Sequence, residues 1–287
     1  MSKIFPARPR EVRKGDYGRI IVAGGSERYA GCLAFNALAA LRAGADLSII
    51  VGPRRAADIV AGYSPDLITV PCSTPFPEPR IVAELLDGAD ALIVGCGVVR
   101  SQPAHKAILS IVKKCVVPMV IDAEALHTIA TTPNACRGKT VLLTPNAGEY
   151  RVLARRDWPS SREERVKAVK ALSKQLGAAV IVKGSDDYIS DGTSVSIDRE
   201  GSPYLTKGGY GDLLTGIAAA MLARGHSPFE AAKIAAYLVG RAGRMASKTF
   251  GEGTLASDTL EHIPLIIPRA DSSSARMWRE RFSWCVQ

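Results

Sequence analysis

No C-x-x-C pair occurs among the six cysteines, at positions 32, 72, 96, 115, 136 and 285. Zinc-ribbon and dithiol redox motifs are therefore without support, and scattered thiols read as small hydrophobes. No apolar run approaches the ~18 residues that span a bilayer. The basic N-terminus, MSKIFPARPREVRKGDYG, lacks the apolar segment of a secretory signal. These absences predict a soluble, cytoplasmic protein. Aromatic residues are only 6% of the chain, and they do not interleave with basic residues as they do in single-strand nucleic-acid binders. The 37 basic residues exceed the 28 acidic ones for a net charge of +9, but the excess is dispersed and much of it lies at the two ends. It suits attraction of an anionic small molecule better than a nucleic acid or a membrane. Walker A spacing is absent, the four histidines have no metal-ligand spacing, and His127 reads as structural.

What is present is an alternation of short β-rich runs with longer helical ones. Residues 19–23, 47–51, 91–94, 116–121, 140–143 and 179–182 are apolar runs too continuous to have a solvated face. Strands buried on both sides belong to a parallel sheet covered by helices. Residues 33–41 carry a helical stripe ended by Gly44, and 162–176 is amphipathic. Residues 188–206, with turns at Asp191-Gly192 and Glu200-Gly201, predict short antiparallel strands at a sheet edge. Helices are expected over about 211–224 and 229–248, and residues 71–79 form a Pro-rich loop. No linker or internal repeat divides the chain. The expectation is an α/β protein with a central, mostly parallel sheet, in which 1–267 is one domain. Residues 268–287 change composition and form a tail, either disordered or an arm whose aromatics dock elsewhere.

In such sheets ligands sit beyond the carboxyl ends of the strands. The residues there are Gly24-Gly25-Ser26, Gly95-Cys96-Gly97, Asp122-Ala123-Glu124, Thr144 through Glu149, and Lys183-Gly184-Ser185. The sharpest segment is Lys207-Gly208-Gly209-Tyr210-Gly211-Asp212, which opens an apolar helix. Glycines before a helix let backbone approach a ligand and present free N–H groups to an anion. Asp212 is then either a helix N-cap or a general base. Asn146 and Glu149 form either an Asn-stabilised turn or an amide–carboxylate pair holding hydrated Mg²⁺. Lys183 either meets phosphate or snorkels at a strand end.

These motifs, in order, are GDYGRIIVAGGSERYAG (15–31), ALAALRAGADLSIIV (37–51), ALIVGCGV (91–98), VIDAEAL (120–126), LLTPNAGEY (142–150), VIVKGSDDYIS (180–190), GGYGDLLTGI (208–217) and GTLASDTLEHIP (253–264). Over roughly 11–267 the chain resembles the ADP/ATP-dependent NAD(P)H-hydrate dehydratases, a carbohydrate-kinase-like branch of the ribokinase superfamily. The resemblance implies a three-layer α/β/α ribokinase-like fold. It also implies phosphorylation of the hydroxyl of hydrated NADH or NADPH by ATP or ADP with Mg²⁺, then loss of phosphate. By that resemblance Asp212 is the base and Gly209 and Gly211 belong to the anion hole. Lys183, Gly184, Ser185, Asp186, Asp187 and Gly211 border the nucleotide, Cys32, Gly97, Asn146 and Asp212 meet the substrate, and Asn146 and Glu149 organise Mg²⁺ through water. Relatives of this fold commonly assemble, so a homo-oligomer is expected.

Four contact positions depart from the family pattern. The chain has Cys32 where Y-x-G-A is usual, Cys96 within G-P-G, Asn146 in T-P-H-x-G-E and Tyr210 in G-G-T-G-D. Asn146 makes the N-x-x-E of the wider superfamily. Tyr210 brings a ring into the anion-hole loop, and the expected geometry turns it aside. The alternative functions are a kinase of a small alcohol using the same Asp, or a non-catalytic nucleotide binder with the hole closed by Tyr210.

Overall fold

The computed structural model describes residues 4–267; the expected tail at 268–287 lies outside them. The elements, in chain order, begin with β1 (Arg19–Ala23), α1 (Gly31–Arg42), β2 (Leu47–Pro53), α2 (Arg54–Ala61), β3 (Ile68–Cys72) and α3 (Pro79–Leu86). They continue through β4 (Ala91–Val94), α4 (Gln102–Lys114), β5 (Met119–Ile121), α5 (Glu124–Thr131), β6 (Val141–Leu143), α6 (Ala147–Ala154) and α7 (Arg162–Leu176). The last are β7 (Ala179–Val182), β8 (Asp187–Ser190), β9 (Val195–Asp198), α8 (Tyr210–Ala223), α9 (Pro228–Phe250) and α10 (Ala256–Ile266).

Among the described residues, nine strands join one sheet in the order β3-β2-β1-β4-β5-β6-β7-β8-β9. Pairings from β3 across to β7 are parallel, and β7-β8-β9 is antiparallel. Period-2 alternation divides the apolar side chains between two cores. Ile20, Val22, Ala91 and Ile93 face α1, α2, α8, α9 and α10. Ile21, Ala23, Leu92 and Val94 face α3 through α7. Three layers result because every central strand is apolar on both faces. Among the described residues no helix is long and apolar enough to cross a membrane.

Local chemistry sets most boundaries. Ser161 accepts from the Glu164 N–H to start α7, and Gly177 in the left-handed region ends it. A Ser227/Glu230 capping box with Pro228 starts α9. The strand expected over 116–121 begins only at Met119, because Val116 is 89% exposed and Pro118 has no N–H to donate. The 71–79 loop gives up Pro71 and Cys72 to β3, which pairs with β2 as an edge strand, where a missing donor is tolerated. Within 188–206, strand pairing stops at Asp198, and Pro203–Leu205 is a helical turn.

The chain runs outward from β1 through β2 to β3, then returns to place β4 on the other side of β1. That reversal opens a crevice at the carboxyl ends of β1 and β4. Gly24 and Gly25 follow β1 there, and the Gly25 N–H donates to the Cys96 carbonyl at 2.7 Å, joining the two loops.

Candidate active site

The crevice widens into a cleft of about 1440 Å³ lined by the loops after β1, β4, β5, β6 and β7 and by the starts of α1 and α8. A pocket for one small ligand is typically ~300–1,000 Å³, so this cleft has room for two ligands side by side.

Three ionisable groups define its floor. Asp122, just after β5, is 4% exposed. It accepts from Thr144 Oγ1 at 2.7 Å and from Lys183 Nζ at 2.9 Å. Burial works against the Lys183 ammonium, but Asp122, Glu149 and Asp212 more than offset it and hold its pKa above the ordinary value. Lys183 thus sits in a part-buried ion pair with Asp122 at the cleft, not in the snorkelled position. The third group is Asp212, whose carboxylate accepts from Asn36 Nδ2 at 3.1 Å. Burial, and then repulsion from Asp122, push Asp212 up to about 7, against the pull of Lys183 and Asn36. A carboxylate poised there can exchange a proton near neutral pH.

The capping alternative for Asp212 does not hold. Gly209 is the N-cap residue of α8 and Asp212 lies inside the first turn, with no side chain capping the helix. Gly209 has φ +99°, and a Cβ there would stand 2.8 Å from Ala256 Cβ and 2.9 Å from the Phe35 ring. Only glycine fits. Lys207 braces the loop from below, its ammonium donating to the carbonyls of Glu252 and, at 2.8 Å, Thr254. The first N–H groups of α8 have no intrahelical partner and meet the cleft with the positive end of the helix dipole. Tyr210 turns its ring aside: it is 8% exposed, belongs to the core beneath α8, and accepts from Thr259 Oγ1 at 3.2 Å.

At the far wall, Asn146 Oδ1 accepts from the Glu149 N–H at 2.9 Å, while Glu149 accepts from the Asn146 N–H at 2.8 Å. The pair is the capping box of α6. The box uses one oxygen of each side chain, which leaves the second carboxylate oxygen of Glu149 for a water-mediated cation. Burial raises the Glu149 pKa, and Lys183 opposes the rise. Such a sparse, oxygen-bearing set fits hydrated Mg²⁺, which keeps most of its waters.

Of the residues singled out from the sequence, Cys32, Gly97, Asn146, Glu149, Lys183, Gly184, Ser185, Asp187, Gly209, Gly211 and Asp212 all line the cleft. Asp186 does not; it pairs with Arg199 at 3.0 Å. Asp187 accepts from the Gly184 N–H at 3.0 Å, tightening the turn into β8. His127, expected to be structural, is a lining residue, as is Ala123, whose φ of +50° is unusual for alanine. Asn36 and the burial of Asp122 were missed. The available signal was an amide on the apolar stripe of α1, four residues after Cys32.

A family model described as NAD(P)H-hydrate dehydratase matches residues 20–265. The chain is 36% identical over 94% of its length to the bifunctional NAD(P)H-hydrate repair enzyme Nnr of Pyrobaculum aerophilum, and it spans 54% of that protein. It therefore covers about half the length of this relative. The ADP-dependent (S)-NAD(P)H-hydrate dehydratase of Cenarchaeum symbiosum is 34% identical, over 94% of this chain and 96% of its own. The fold is shared with the ADP/ATP-dependent NAD(P)H-hydrate dehydratase of Bacillus subtilis, co-crystallised with ATP/Mg²⁺. That structure has a TM-score of 0.77 and 23% identity, and the match covers 91% of this chain and 93% of that one.

Proposed function

The chain belongs to the NAD(P)H-hydrate dehydratase family, and from that premise we propose that it restores hydrated NADH or NADPH with ATP or ADP as phosphoryl donor. The observation that carries the reading is Asp212. It is a carboxylate held by Asn36 and tuned to about 7, and it stands in the first turn of a helix whose free N–H groups open onto a cleft large enough for both ligands.

Asp212 would accept the proton of the hydrate hydroxyl as that oxygen attacks the terminal phosphorus of the donor. An O–P bond forms, and the P–O bond to the nucleotide breaks with its electron pair. The N–H groups of Gly209 to Gly211 would face the charge spread over the transferring oxygens. In the second half the C–O bond to the new phosphate breaks, the neighbouring ring carbon gives up a proton, and the ring double bond returns. Lys183, Gly184, Ser185 and Asp187 would border the donor, and Cys32, Gly97 and Asn146 the hydrate. Mg²⁺, when bound with the donor, supplies charge neutralisation on its phosphates; Glu149 and Asn146 would hold its waters. The net charge of +9 suits two anionic ligands. The same reading carries a cytoplasmic setting and a homo-oligomer.

The test is incubation with hydrated NADPH, Mg²⁺ and either ADP or ATP. Return of the reduced-nicotinamide absorbance, with one phosphate released per ring restored, is expected. Donor consumption only with an unrelated alcohol would shift the assignment to a small-alcohol kinase, and donor binding with no turnover to a non-catalytic protein.

A further inference from the structure

Two thiols share the cleft with Asp212. Cys32 lies in the first turn of α1 and Cys96 in the loop after β4, and their sulfurs and a carboxylate oxygen of Asp212 all lie within 4.8 Å of one another. Cys96 is buried and Cys32 partly exposed. Neighbouring glycines make the space they occupy. A Cβ on Gly97 would stand 2.3 Å from Cys32 Sγ, and one on Gly24 2.9 Å from Cys96 Sγ. The other described cysteines, Cys72, Cys115 and Cys136, stand outside any such group.

Neither sulfur makes or breaks a bond in phosphoryl transfer or phosphate loss, although Cys32 would border the hydrate. Mg²⁺ takes oxygen ligands and does not select sulfur. Yet thiols and a carboxylate become anionic by losing a proton, and at Cys96 and Asp212 the surroundings make that loss hard. Cys96 is held well above the ordinary thiol value by Cys32 beside it, then by burial, with Asp212 and Asp122 adding to the effect. A soft cation reverses the balance, because thiolate binding to the metal replaces the proton.

We propose that Cys32, Cys96 and Asp212 form a binding site for a thiophilic divalent cation of the zinc and cadmium class, with a water from the cleft as fourth ligand. Two protons leave the thiols for solvent as the two metal–sulfur bonds form. Zn–S bonds of ~2.3 Å in a tetrahedron put the sulfurs about 3.8 Å apart, so sulfurs within 4.8 Å of one another close inward by at most about an ångström, within reach of side-chain rotation. Occupancy also ties up the Asp212 carboxylate, and the metal then inhibits the reaction. This last consequence rests on Asp212 being the base, whereas the site itself does not.

The full chain carrying Cys285→Ser, freed of metal by chelator and without nucleotide, is titrated with Cd²⁺ while the thiolate-to-cadmium charge-transfer absorption is followed. One saturable site per chain is expected, displaced by Zn²⁺. Cys32→Ala and Cys96→Ala each lower the affinity by at least ~10²-fold, the upper end of what loss of even an outer-shell partner costs. Asp212→Asn weakens binding but keeps the two-thiolate band. Circular dichroism confirms that each variant folds, and Cys→Ser versions replace any that do not. Absence of a saturable band, or a band unchanged in the Cys32→Ala/Cys96→Ala double variant, overturns the site. If Cd²⁺ binds as described but Zn²⁺ leaves hydrate turnover untouched, the site stands and the inhibitory consequence falls.

Discussion

Replacing Asp212 with Asn removes one negative charge and leaves the shape, and the structure assigns opposite signs to its two effects. Asn36 Nδ2 donates to Asp212 Oδ1 at 3.1 Å, and an Asn at 212 still offers an oxygen there. The charge is what the site tolerates poorly. Burial and the neighbouring Asp122 raise this carboxyl from 3.8 to about 7. The folded state keeps its proton across roughly three pH units where the unfolded chain has lost it, so stability falls as pH rises from about 4 to about 7. At ~1.36 kcal/mol per unit the full cost is about 4 kcal/mol, and its opening to the cleft screens part of it. Asp212→Asn should therefore raise stability by ~2–4 kcal/mol near pH 8, roughly 4–8 °C in Tm, and by almost nothing near pH 4. Turnover of hydrated NADPH should fall by ~10²–10⁴ because an amide accepts no proton. Calorimetry in chelator-containing buffer and the absorbance assay measure the two effects. A variant that melts lower while keeping turnover within tenfold of the parent would mean the carboxylate is structural, and the reasoning from its environment would be wrong.

Asp187 offers the same linkage away from the reacting atoms. Burial raises it to about 7, helped by Asp198 and Asp186 and opposed by the Gly184 N–H and Lys183. Asp187→Asn should thus gain up to ~4 kcal/mol relative to the parent above pH 7 and nothing below pH 4; parallel urea titrations at the two pH values showing no difference would refute it. Glu149→Gln retains an oxygen for the α6 capping box but loses the charge, so the Mg²⁺ concentration for half-maximal turnover should rise about tenfold or more with Tm nearly constant; an unchanged Mg²⁺ titration removes Glu149 from the cation's surroundings. Tyr210→Thr gives up buried ring area and the Thr259 hydrogen bond and should lower stability by ~2–4 kcal/mol while turnover changes by less than tenfold. A rise of several orders of magnitude would show instead that the ring obstructs the phosphoryl position.

The sheet was most legible where a strand is buried on both faces, although the run at 116–121 is a strand only from Met119. Residues 19–23, 91–94 and 179–182 agree with the observed bounds, because a four- or five-residue apolar run after a turn has few other places to go. Edges were less legible. β3 alternates poorly, with Ile68 41% exposed, and contains a proline, so local pattern points to a loop; only pairing with β2 makes it a strand. The helix α7, with Ser161 at its start and Gly177 at its end, could be read to the residue. Helices whose start depends on tertiary contact, such as α5 behind the positive-φ Ala123, could not.

The site divides along the same line. Most residues named by position after a strand, or by glycines before a helix, reached the cleft, since topology alone carries strand ends to one edge of the sheet. Gly24, Gly25, Ser26, Gly95, Thr144 and Asp186 do not line it. What sequence order cannot encode is which charges neutralise one another. Lys183 and Asp122 are 61 residues apart yet 2.9 Å from each other, and that pairing alters the electrostatics for Asp212. An Asp122 bound to both Lys183 and Thr144 remains a negative neighbour, but one whose field is partly cancelled, so Asp212 is raised to about 7 and not beyond the range in which it can lose its proton. Were Lys183 instead committed outward to phosphate in the resting state, only Asn36 would oppose burial and the repulsion of Asp122, and Asp212 would be raised further. The Lys183 ammonium thus helps keep Asp212 able to act as a base before the donor arrives, and Lys183→Met should push the acidic limb of the turnover profile to higher pH. A limb that stays in place in that variant would show that Lys183 acts only on the donor phosphates.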